Sequence, residues 1–158
     1  MKQFFILLIL FASCRSNTCI AQVTKKPTSR LLGIFDGRTP CQELSAQFDQ
    51  KNGPECTKMK WRFGFYVDPI TGQPDKYEMM GLGYNKDTPK IGKWHISKGT
   101  KTNPNAIVYQ LELGEGKKSM FFQKADENIL FFLDQEKNIM VGNNDFSYTL
   151  NKTERKSM

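Results

Sequence analysis

The sequence predicts an all-β fold, a small antiparallel meander closed on itself into a barrel of about eight strands. Three observations predict it. Apolar side chains recur at every second position, most clearly at Met59, Trp61, Phe63, Phe65 and Val67, with Lys58, Lys60, Arg62, Gly64 and Tyr66 on the other face. That two-residue repeat belongs to a strand half buried in a sheet. Clusters of Gly, Pro, Asn and Asp interrupt the apolar runs about every ten residues, as turns between short strands do. No stretch carries a 3.6-residue apolar repeat through three helical turns.

In chain order, residues 22–30 (QVTKKPTSR) are polar, show no apolar period and read as a flexible lead-in. Residues 31–38 read as the first strand, which Thr39-Pro40 ends because proline lacks the N–H that a ladder needs. Residues 42–48 fit a helical turn or a short strand equally well. After the Lys58–Val67 strand, the turn formers of 68–75 reverse the chain into a strand over 76–84. A fourth strand carries Ile91, Trp94 and Ile96, and residues 106–113 alternate again, with Ile107, Tyr109, Leu111 and Leu113 on one side. Short strands over 119–124, 129–133, 139–141 and 146–150 complete the series, each bounded by Asp- or Asn-rich turns. Closure spares such a meander its exposed edges, so an up-and-down, lipocalin-like barrel over 31–150 is expected, with a sandwich as the alternative and 151–158 as a polar tail.

The 158-residue chain opens with Lys2 ahead of the apolar run Phe4 to Ala12. This reads as a signal peptide over 1–21, since the run falls well short of the roughly 20 residues a membrane-spanning helix needs. Two processing sites compete. Ala12-Ser13-Cys14 resembles the end of a lipobox, which would make Cys14 the lipid-bearing N-terminus and a membrane anchor. Cys19-Ile20-Ala21 before Gln22 resembles an ordinary cleavage site with a soluble product. Cysteine parity favours the second, because cleavage after Ala21 leaves the even pair Cys41 and Cys56, which suits an oxidising compartment. Removing Lys2 and Arg15 from the 23 basic residues leaves 21 against 16 acidic ones, a surplus of five. These charges are scattered without a block, which argues against a nucleic-acid partner.

Few residues present themselves for chemistry. Cys41 and Cys56 lie fifteen apart, each beside or near a proline, and bracket a polar loop. A disulfide pinning that loop is the plainer expectation; a redox pair or a Cu(I) site is the sharper one. His95 is the lone histidine and cannot build a His-rich metal site by itself. The methionines in predicted strands, Met59, Met79, Met80, Met120 and Met140, read as core, with copper ligation the alternative. No carboxylate pair has a spacing that argues for acid and base catalysis, and Gly81-Leu82-Gly83 lacks the third glycine and following helix of a phosphate loop. Twelve phenylalanines, five tyrosines and two tryptophans either fill the barrel or line a pocket for a small apolar ligand. Filling suits so small a barrel better.

Several segments, in order, resemble the N-terminal domain of the NlpE envelope lipoprotein family. They are Leu32-Gly33-Ile34-Phe35, Thr39-Pro40-Cys41, Gly92-Lys93-Trp94, Tyr109-Gln110-Leu111, Leu130-Phe131-Phe132-Leu133-Asp134 and Phe146-Ser147-Tyr148-Thr149-Leu150. The resemblance covers about 31–150. It implies a lipocalin-like barrel, often lipid-anchored, located in the periplasm or cell envelope and concerned with envelope stress or copper resistance. Pro40-Cys41 matches the start of the family's Pro-Cys-x-x-Cys pattern, whereas Leu44 stands at its second cysteine. The resulting expectation is a non-enzymatic, exported binding or stress-sensing module without a cofactor, copper apart. Its partner would be an envelope protein or a small apolar ligand.

Overall fold

The computed structural model describes residues 28–154. The strands are β1 (Arg30–Pro40), β2 (Lys58–Val67), β3 (Pro74–Met80), β4 (Lys90–Lys98), β5 (Ile107–Leu111), β6 (Met120–Lys124), β7 (Ile129–Leu133) and β8 (Thr149–Thr153). One short helix, α1 (Cys41–Gln47), stands between β1 and β2. Each strand pairs antiparallel with the next and β8 returns to β1, closing an eight-stranded barrel as the alternation predicts. No helix of the described residues is long and apolar enough to cross a membrane.

The inward face of β2 organises the interior. Met59, Trp61, Phe63, Phe65 and Val67 are all buried, while Lys58, Lys60 and Arg62 face solvent. Phe63 has no exposed surface and its ring lies 5.0 Å from Phe122, 5.5 Å from Trp61 and 6.2 Å from both Phe65 and Phe132. Phe65 in turn meets Trp94 at 5.0 Å and Tyr109 at 5.3 Å. Stacked contacts along β2 and edge-to-face contacts across the barrel, at these separations, add to the burial of each ring. The rings from β2, β4, β5, β6 and β7 thus occupy the barrel axis. The two indole N–H groups are satisfied at the wall: Trp61 Nε1 donates to Thr39 Oγ1 at 2.8 Å and Trp94 Nε1 to the Tyr66 carbonyl at 2.8 Å. A buried indole N–H without such a partner would cost about 1–3 kcal/mol.

Closure depends on a short ladder, in which only Ile34, Phe35 and Asp36 of β1 register with Thr153, Lys152 and Asn151 of β8. Asp36 reinforces it by binding three strands at once. Its carboxylate accepts two bonds from Arg62 of β2, both 2.7 Å, and one from Thr153 of β8 at 2.9 Å.

The last strand differs from its expected place. Residues 139–141 form no strand; Ile139 makes an isolated bridge to Leu133. The Tyr148 carbonyl still accepts from the Phe132 amide, but the closing strand runs on to Thr153, inside the expected polar tail. Residues 151–153 lack apolar alternation because they form the seam, where the backbone ladder rather than side-chain burial holds them. The Lys152 stem lies over Gly33, where a Cβ would sit 2.9 Å from its Cε. Likewise, of the three apolar residues of β4 only Trp94 is buried, and Ile91 and Ile96 are about half exposed at 55% and 52%.

The Arg62 hydrogen bonds, joined by that of Thr153, hold the Asp36 carboxyl below the usual carboxylate range against the opposing effect of burial. A carboxyl depressed in the folded state stabilises the fold above its unfolded value, about pH 4, and that stabilisation fades as pH falls through the lower folded value. The melting temperature of the wild type should therefore drop more steeply below pH 4 than that of Asp36→Asn; parallel profiles would contradict the closing role of Asp36.

Candidate functional site

The barrel end at which β1, β3, β5 and β7 finish is closed by α1. The segment CQELSAQ contains no glycine, proline or β-branched residue, and Pro40 precedes it at a position where the missing N–H costs nothing. Cys41, Leu44 and Ser45 share the buried face at helical spacing. Leu44, at the position of the resembling family's second cysteine, is fully buried in the core. The Tyr148 hydroxyl anchors the other side by donating to Glu43 at 2.7 Å.

Cys41 and Cys56 are joined as a disulfide with their Cα atoms 5.8 Å apart. The bond folds the segment after α1 back over the helix, and Gln42 supports it by donating to the carbonyls of Gly53 at 3.1 Å and Cys56 at 3.2 Å. Asn52 donates to Cys41 Sγ at 3.3 Å. The polar loop is thereby held against the barrel end.

Beside it lies a hollow of about 280 Å³. Its floor is Met79, Leu82 and Leu113, all buried and part of the core cluster, with Phe48 and Tyr84 packed against it. Its rim carries Lys90, Lys117, Lys118 and Asp49. Leu82 reaches the floor from a two-residue turn, in which the Gly81 and Tyr84 backbones exchange hydrogen bonds of 3.0 Å and Leu82 and Gly83 have φ of 49° and 87°. Positive φ at both central positions is the hairpin geometry that usually demands Asn or Gly. A leucine held there costs on the order of 1–3 kcal/mol. Gln50 secures it by donating to the Leu82 carbonyl at 3.0 Å.

Lys118 is committed, donating to the Gln47 carbonyl at 3.2 Å and lying 3.6 Å from Asp49. Among the described residues the ammonium groups of Lys90 and Lys117 have no hydrogen-bond or ion-pair partner. A second, wider trough of about 720 Å³ runs on the outer wall along β1, β2 and β8. Asp36, Arg38, Lys60, Arg62 and Asp145 give it mixed charge. Arg62 there is already engaged by Asp36.

The remaining sequence candidates stay apart. His95 lies on the outer face of β4 with its ring 2.6 Å from Glu112, both more than half exposed. Met59, Met79 and Met120 are buried in the core, as expected of packing methionines, whereas Met80 and Met140 are only partly buried and Met80 lines the outer trough. Among the described residues no three His, Cys, Asp or Glu side chains come together as a metal site. Burial pushes the phenols of Tyr77 and Tyr148 far up, aided at Tyr148 by its bond to Glu43, so both remain neutral donors. Cys14 and the two processing sites lie outside the described residues. Sequence reasoning missed the mouth itself: Leu82, Lys90 and Lys117 come from the turn after β3, the start of β4 and the turn after β5, and only the rejected Gly81-Leu82-Gly83 signalled an unusual backbone there.

No family model, curated protein or solved structure matches the chain.

The disulfide should contribute on the order of 3 kcal/mol by restricting the unfolded chain. Urea unfolding of Cys41→Ala/Cys56→Ala should show a loss of that size against the oxidised wild type; equal stability would mean that the bond restrains nothing the fold needs.

Proposed function

We propose that this protein is a non-enzymatic, exported module of the cell envelope, NlpE-like in kind, that senses or binds through the α1 end of its barrel. The hollow at that mouth carries the reading. There an apolar floor continuous with the core meets a cationic rim, around a backbone turn whose strain the surrounding contacts must sustain; strained conformations of this sort concentrate at binding sites. The rings along the axis leave the mouth, rather than the interior, as the place for a small apolar ligand or for a protruding side chain of a partner. Export is supported by the charged and apolar start of the chain and by a disulfide of the kind that oxidising compartments sustain.

A second reading is favoured by the same disulfide. Once reduced, Cys41 and Cys56 would place two thiolates within reach of one soft cation such as Cu(I). One equivalent of Cu(I) held by the reduced protein and lost in Cys41→Ser would favour it.

Amide hydrogen exchange, measured with and without a small-molecule extract of the envelope, tests the leading reading. Exchange at 81–84 and 113–118 is expected to slow while the outer wall is unaffected. Unchanged exchange at the mouth, together with a turnover activity that one side-chain substitution abolishes, would sink it.

A further inference from the structure

We infer that the mouth takes a free anionic amphiphile with one short aliphatic chain, a medium-chain carboxylate, its chain on the apolar floor and its head between Lys90 and Lys117. This rests on the reading of the mouth as the binding site and adds the ligand class. Volume sets the tail. About 280 Å³ lies just under the roughly 300–1,000 Å³ of drug-sized ligand sites, which suits one short chain and not a two-chain lipid. The floor of Met79, Leu82 and Leu113 offers such a chain methyl and methylene contacts, and with Phe48 and Tyr84 beside it none of these side chains carries a charge.

Charge sets the head. The rim holds three ammonium groups against the single carboxylate of Asp49, a surplus of two. Lys118 and Asp49 face each other, so the surplus resides on Lys90 and Lys117, whose ammonium groups have no hydrogen-bond or ion-pair partner among the described residues. Glu115, on the same turn as Lys117, does not line the hollow. An apolar floor capped by unneutralised cations is complementary to an anion with an apolar tail. A neutral ligand would use the floor and gain nothing from the rim. Backbone reinforces the shape: Gly114 and Gly116 have φ of 122° and 69°, which brings the turn bearing Lys117 and Lys118 around beside Leu113.

The probe is decanoate, titrated into exported protein labelled on its leucine and methionine methyls and followed by NMR, with decanol, propionate and phosphatidylglycerol vesicles as comparisons. Decanoate should shift the Met79, Leu82 and Leu113 methyls saturably. Decanol, propionate and the Lys90→Gln/Lys117→Gln variant should each bind at least about tenfold more weakly, a difference of about 1.4 kcal/mol. The spectrum of the variant away from the mouth should match the wild type. Decanol equal to decanoate at the same methyls overturns the anionic class and leaves the mouth as the binding site. Shifts confined to methyls elsewhere overturn both readings. Absent decanoate shifts, or a response to vesicles alone, overturns the inference of a free amphiphile.

Discussion

The inward ring column of β2 is the constraint on which the rest depends. Trp61, Phe63 and Phe65 stand on one face of one strand, and together they reach the rings of Trp94, Tyr109, Phe122 and Phe132 across the barrel. Once these rings meet on the axis, the interior is a core rather than a vessel. Inside the barrel, ligand-sized space is then left only where the strands end and the ring layers stop. That is where α1, the Gly81–Tyr84 turn and the Gly114–Lys118 turn converge.

The mouth is held by local devices of different kinds. The disulfide and Gln42 fold the post-helical loop inward, and Gln50 carries the restraint onward to Leu82. Leu82 and Asp49 both adopt positive φ, at 49° and 55°, and both line the hollow. A close-packed barrel can sustain such local cost because the stabilisation of its ring core does not depend on the loops. The arrangement separates the part that gives stability from the part that presents chemistry to solvent.

The legibility of the fold in the sequence follows the same division. The β2 alternation was readable because its burial repeats with the strand period, and a closed meander followed from it. The closing strand was not, since the seam residues Asn151 and Lys152 are exposed and held by backbone bonds that leave no side-chain pattern. Residues 42–48 were ambiguous because seven residues span too few turns to establish a helical period. The disulfide was legible from parity and spacing. The mouth was not: its residues come from four stretches of chain, and lysines on turns look the same in sequence whether they rim a hollow or face bulk water.

The barrel is solid along its axis, and its interior opens to ligand at the α1 end. Xenon enters dry apolar cavities in proteins, so diffraction from a crystal under xenon pressure tests the claim directly. No xenon is expected between Phe63 and Phe122 and, where any binds, it should sit over Leu82 and Leu113. A xenon atom seated among the axial rings would contradict it.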